Sequence, residues 1–501
     1  MRTAIAGSGF VLLSLLVASL GAQQTAVSLA IVGATVLDGN GGPPIRDAAI
    51  IVSGGRITAI GPRASTTVPS DAQTINAGGK FVVPGFTDTN VHLSLYGGMN
   101  DRYETLVRYF DRQQDIVLEA AQTQLRYGVT TVRDSYGMLR PLVAVRDRIA
   151  SGGAIGPRIL AAGNIVGWSG PYSISFSLTR TQSLTLFQEQ MNDEIAQGAG
   201  EELMGMTPPE LARAIDAYFD KGPDFLKYGG TSHFSEPTFI GFSPEAQKTL
   251  VERAHARGRF AETHATSPEG LRIAIDAGID GIQHPELLDG HDLPDDLVRR
   301  IHERGIVCSM LVNTITGEVW EKHVKDRAEA EKKHAEADKK SGNRPRTSFE
   351  ERQRAVDLGL ELESRRKNAQ TLIRAGAVVT VGTDNYWAAA SELSRTPKPQ
   401  NQDHGIGTII GIEGLVELGM TPAQAIVAAT KNGAIAAKAL AEQGTLEVGK
   451  RADLLVLDAD PLADIHNIRK IGVLVKDGRV VDRASLPQKR VLSRPPAGAT
   501  H

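Results

Sequence analysis

Asn90 and His92 stand two residues apart in "FVVPGFTDTNVHL", and in an extended strand residues two apart point to the same side. Imidazole is a natural metal ligand. The amide oxygen of Asn90 is a neutral, harder donor, poor beside imidazole for zinc and better suited to Mg²⁺, Mn²⁺ or Ca²⁺. Four further side chains of the same chemical kind follow: Lys227 in "PDFLKYGG", His264 in "FAETHATS", His284 in "GIQHPELL" and Asp384 in "VVTVGTDNYW". Imidazoles and carboxylates together suit Zn²⁺ and similar ions, which lower the pKa of bound water toward neutrality. Lysine repels a cation unless it is desolvated, loses its proton and reacts with CO₂. The carbamate so formed is an anionic oxygen ligand able to bridge two ions.

These residues fall at or just beyond the ends of short apolar runs, so the runs must be strands that deliver them to one face. Eight candidates are Phe81 to Thr89, Thr130 to Arg133, Arg158 to Ala162, Asp224 to Lys227, Arg259 to Thr263, Gly281 to Gln283, Ile306 to Leu311, and Val378 to Thr383. Helical stretches such as Ile116 to Tyr127, Pro244 to Arg257 and Leu293 to Arg304 separate them, the pattern of parallel βα units. The fold expected is α/β, a (β/α)8 TIM barrel whose active site lies at the carboxyl ends of the strands. β-rich runs at both chain ends, "LAIVGATVLDG" and "ADLLVLDADP" among them, imply a small β-sandwich domain built from both termini. The chain thus divides into a signal peptide over 1–22, the N-terminal part of the sandwich over 27–80, the barrel over 81–440, the C-terminal part of the sandwich over 441–485 and a flexible tail over 486–501. Two excursions interrupt the barrel: Gly167 to Thr207, a candidate substrate wall, and the charge-dense Val319 to Glu351, expected to be a solvated helix of mixed sign.

The 55 basic and 58 acidic residues give a formal net charge of −3, which supplies no long-range pull toward nucleic acid or an anionic membrane. The partner expected is a small-molecule substrate, with a homo-oligomer left open. Arg2, the apolar run Phe10 to Leu20 and the small pair Gly21 and Ala22 read as a signal peptide. The apolar run is short for a bilayer span, so the protein is expected to be exported, periplasmic or secreted, with no membrane attachment after cleavage. The lone Cys308 makes no internal disulfide and reads as a buried small hydrophobe.

Taken in order, "VVPGFTDTNVHL", "GVTTVRD", "GPRILAAG", "FLKYGG", "ETHA", "DGIQHPE", "VGTDN" and "GTLEVGKRADLLVLDADPL" resemble the amidohydrolase superfamily, in its imidazolonepropionase-like and metal-dependent Xaa-Pro dipeptidase (prolidase-like) branch. The likeness runs from Ile31 to Arg483. It implies a metal-dependent hydrolase of C–N bonds carrying one or two zinc ions. By this resemblance His92 is the second histidine of a strand-one pair and Lys227 the carboxylated bridge. His264 and His284 would hold the more exposed ion, Asp384 would ligate the other and serve as base, and Tyr228 would meet the substrate carbonyl. Asn90 stands where the family has the first histidine, so the buried ion should be weakened, replaced or absent.

The activity expected is cleavage of an amide or peptide C–N bond of a small substrate by metal-activated water with Asp384 as base. Two other readings stay open: a hydrolase or deaminase of a cyclic amide or lactone-like substrate, and a catalytically weakened barrel acting as a binding protein. Candidate substrate contacts are Arg133, whose guanidinium could take a carboxylate bidentately or pair with Asp134, and the aromatic Trp168, Tyr172, Tyr386 and Trp387.

Overall fold

The computed structural model describes residues 28–94, 109–170, 173, 175, 183–233, 238–341, 344–388 and 399–487. The expected signal peptide, Tyr172 and all of the C-terminal tail except Leu486 and Pro487 lie outside them.

Two parallel sheets carry the middle of the chain. One runs β6 (Phe86–Val91), β7 (Val129–Asp134) and β8 (Arg158–Ala161). The other runs β9 (Leu226–Gly229), β10 (Ala261–His264), β11 (Gly281–Gln283), β12 (Val307–Met310) and β13 (Val378–Val381) in sequence order. Single parallel bridges, Val166 to Tyr228 and Val91 to Asn385, join the sheets at both seams. Helices between the strands start where the sequence supplies caps. Ser243 and Ser267 each accept a backbone N–H three residues on, with Pro244 and Pro268 at the first helical position.

A third sheet draws on both ends of the described chain. β1 (Leu29–Val36), β2 (Ile45–Ser53), β3 (Arg56–Pro62), β4 (Gln73–Asn76) and β5 (Phe81–Pro84) join β14 (Leu454–Leu457), β15 (Ile471–Lys476) and β16 (Arg479–Val481). Its apolar cluster, with Ile31, Ile50, Val82 and Leu454, is separate from the main core.

The expected single strand from Phe81 to Thr89 is two strands in different sheets. β5 pairs with β1 and β14, whereas β6 pairs with β7. The chain turns between them at Gly85, where a Cβ would lie 2.3 Å from the Thr130 side chain, so only glycine fits. The charged excursion is helical as expected, over Gly317–Ser341 and Ser348–Asp357. Among the described residues no helix is long and apolar enough to cross a membrane. Cys308 is buried.

Candidate active site

The carboxyl ends of the parallel strands bring together six of the sequence-predicted residues: Asn90 and His92 at β6, Lys227 on β9, His264 at the end of β10, His284 just past β11, and Asp384 three residues beyond β13. His284 and Asp384 both sit at positive φ, 58° and 56°, a conformation L-residues rarely adopt outside turns and functional sites.

His92 and Asp384 meet directly, Nε2 to Oδ1 at 2.7 Å. The other ring nitrogen, Nδ1, faces the Tyr136 carbonyl at 3.0 Å, which fixes the ring plane. Burial disfavours the charged imidazole, but the Asp384 charge and hydrogen bond outweigh it and raise the His92 pKa. Asp384 moves the opposite way: burial alone would raise its pKa, and the charge and hydrogen bond of His92 lead the interactions that carry it well below the usual carboxylate range. Asn90 donates through Nδ2 to Asp384 Oδ1 at 3.2 Å, while its own Oδ1 accepts from the Ser135 hydroxyl. As placed, its oxygen is engaged by Ser135, and its amide nitrogen holds Asp384.

Across the site, burial pushes the pKa of His264 well below its ordinary value, and the cost of a second positive charge beside His284, His233 and Lys227 pushes it further. His284 falls to about 3, chiefly through burial. Both rings are therefore neutral, and His264 Nε2 and His284 Nδ1 are buried without a hydrogen-bond partner among the described residues. Burial also lowers Lys227 to about 8, partly offset by the charges of Glu262 and Asp384. Among the described residues no three His, Cys, Asp or Glu side chains converge into a preformed metal cluster. The donor chemistry nevertheless fits a divalent cation: two neutral imidazoles with unpartnered nitrogens, an ionised carboxylate, and an amine of reduced basicity.

Trp168 packs edge-on to His264, ring centroids 5.1 Å apart, and lies over Gly229, where a Cβ would come within 2.1 Å of its Nε1. Tyr386 and Trp387 are buried just beyond the base. Two expected contacts are corrected by the structure. Tyr228 neighbours Lys227 and so faces the opposite side, where its hydroxyl donates to Gln247 Oε1 at 3.0 Å and its ring meets Phe242. Arg133 pairs with Glu262, not Asp134, at 2.7 Å, only 1% exposed. Its guanidinium lies 4.1 Å from the Phe225 centroid and 4.7 Å from that of Phe260. Both phenylalanines precede their strands, so Arg133 points toward the amino-terminal end, away from the site.

The structure also adds residues that sequence reading passed over. His233 stacks on His264, centroids 5.4 Å apart and planes 27° apart, and Tyr136 meets His92 edge-on at 6.0 Å. Their only signal was a ring a few residues past a strand end, in "YGGTSH" and "VRDSYG".

Comparisons with known proteins agree with this geometry. The amidohydrolase family model matches residues 81–481. The solved structure of molinate hydrolase is 30% identical, with a TM-score of 0.81 over 95% of this chain and 99% of that one. Phenylurea hydrolase B is also 30% identical, with a TM-score of 0.82 over 94% and 100%. Ochratoxinase of Aspergillus niger is 25% identical over 89% of this chain and 84% of its own length. With this family match across the parallel sheets and the site, the chain belongs to the amidohydrolase family.

Proposed function

We propose that this protein is an exported, metal-dependent amidohydrolase that cleaves an amide-type C–N bond of a small molecule. The observation that carries the reading is the pair of buried, neutral and unpartnered nitrogens, His264 Nε2 and His284 Nδ1, on the same face as Lys227 and the ionised Asp384. Buried imidazole nitrogens left without partners are costly unless a cation or ligand completes them. The eight parallel strands are read as a closed (β/α)8 barrel over 81–440, supported by the bridges at both seams, with the terminal strands as a small β-sandwich domain.

His264, His284 and Lys227 would hold the ion, zinc first among the candidates, with Lys227 as its carbamate. Such an ion lowers the pKa of water and polarises a carbonyl when bound. The chain's own residues do the rest. Asp384 accepts a proton from the water that attacks the carbonyl carbon, and returns it to the nitrogen as the C–N bond breaks, leaving a carboxylic acid and an amine. His92 and the Asn90 amide hold the Asp384 oxygen in place. Trp168 walls one side and excludes water. The names of molinate hydrolase, phenylurea hydrolase B and ochratoxinase support a small-molecule substrate.

The test is hydrolysis by zinc- or manganese-loaded protein of a panel of N-aryl amides, ureas and N-acyl amino acids, beside the Asp384→Asn variant. Turnover by the parent with loss in the variant is expected. No turnover of any member, or equal turnover by the variant, would overturn the assignment.

A further inference from the structure

Just past the base, Trp387 and His404 meet edge to face, ring centroids 5.0 Å apart and planes 86° apart. Both are buried, 7% and 1% exposed. The tautomer of His404 follows from its neighbours. Gln124 Oε1 accepts from the Gly405 backbone N–H at 3.1 Å. A backbone N–H can only donate, so this end of the amide is the oxygen. The Gln124 nitrogen therefore faces His404 Nδ1 at 3.4 Å, and Nδ1 must be the acceptor. The ring is neutral, pushed down to about 3 chiefly by burial, and its one proton is on Nε2.

His404 Nε2–H and Trp387 Nε1–H are thus two buried donors, and neither has a hydrogen-bond partner among the described residues. In an edge-to-face pair only one ring can turn its edge into the other's face, so a ring face can satisfy at most one of them. Buried donors are otherwise almost always paired. The pair adjoins the catalytic face: Trp387 follows Asp384 by three residues, the His92 backbone N–H donates to the Asn385 carbonyl at 2.7 Å, and the charge of His92 reaches His404.

We propose that Trp387 Nε1–H and His404 Nε2–H form a two-donor subsite that receives a carbonyl or carboxylate oxygen of the substrate on the His92 side of the site. The proposal rests on the amidohydrolase reading and deepens it: the substrate carries a second acceptor group besides the scissile carbonyl. Trp387 was expected at the substrate from its aromatic ring. Its N–H and the whole of His404 are the new elements.

The chain has three tryptophans, so nitrogen-15 labelling gives three indole N–H signals, and loss of one in Trp387→Phe assigns it. Metal-loaded protein is titrated with benzamide, benzoate and, lacking the acceptor, aniline. The expected result is a saturable downfield shift of the Trp387 signal with benzamide or benzoate but not with aniline, and binding weakened roughly three- to tenfold in His404→Phe, the usual effect of one hydrogen bond. Benzamide and benzoate separate neutral carbonyl from carboxylate recognition. An unmoved Trp387 signal while bound probe shifts Trp168, or a signal that reports only a retained water, would overturn the subsite. Phe keeps the bulk of either ring; should one variant misfold, the other carries the test. Binding is read without turnover, so failure of the hydrolase assignment appears in the panel assay and failure of the subsite appears here.

Discussion

His92 Nε2 and Asp384 Oδ1, 2.7 Å apart, tie the end of the first parallel strand to the exit of the last, and the contact favours the ionised form of Asp384. The two pKa values move apart, His92 up and Asp384 down. A depressed carboxylate contributes stability above its unfolded pKa and loses it as pH falls through the folded value. A raised imidazole contributes below its unfolded pKa and loses it as pH rises through the folded value. In metal-free protein the stability gap between parent and His92→Gln should be widest between about pH 4 and 6.5 and narrow on both sides. Thermal unfolding from pH 3 to 9 measures it, and a gap independent of pH would exclude the linkage. On activity, Asp384→Asn should cost about 10²- to 10⁴-fold in kcat, the range for a general acid–base group.

Asn90 fills a ligand position with an amide whose oxygen is already engaged by Ser135. Metal content by elemental analysis should be about one ion per chain in the parent, the stoichiometry of a mononuclear site, and about two in Asn90→His, where imidazole restores a borderline donor. Two ions in both proteins would show that the asparagine does not limit the second site.

Lys227, lowered to about 8 by burial, presents enough free amine near neutral pH to react with CO₂. Carbon-13 bicarbonate should give a carbamate carbon resonance in the parent that is absent from Lys227→Arg. The variant should bind metal roughly 10- to 100-fold more weakly. Full metal affinity in Lys227→Arg would remove the carbamate from the ligand set.

Arg133 is held by Glu262 and two phenylalanine rings at the far end of the strands. Arg133→Met leaves a buried carboxylate without its cation and should cost about 3–5 kcal/mol of stability, with no selective loss on substrates that carry a carboxylate. Denaturant titration beside paired KM measurements separates the outcomes. An unchanged unfolding midpoint with a selective rise in KM would return Arg133 to the substrate.

Residues that end strands were legible because β-strand length and βα alternation leave few places for a polar residue after a short apolar run. His264, His284, Lys227 and Asp384 were found that way. Side-chain direction was harder. Tyr228 lies on the right strand but faces away from the site, because a one-residue step reverses a side chain in an extended chain, and Arg133 is drawn toward the amino-terminal end by Glu262. The strand run from Phe81 to Thr89 looked continuous because nothing local distinguishes a strand from a strand that changes partners; Gly85 was the only mark. His233 and Tyr136 come from loops, whose path is set by tertiary packing, so periodicity carried no information about them.

The position of β5 orders the assembly of the protein in time. β5 is flanked by β1, made before it, and by β14, which leaves the ribosome only after all of the parallel strands. The strand bearing Asn90 hangs directly from β5 through Gly85, whose N–H bonds the Asp453 carbonyl at 2.9 Å. The first part of the catalytic face to be synthesised is therefore among the last to be anchored. A chain that ends before Leu454 would leave β5 an open apolar edge, ready to pair with another nascent copy. Anchoring of the strand that carries Asn90 thus depends on β14, far from it in sequence.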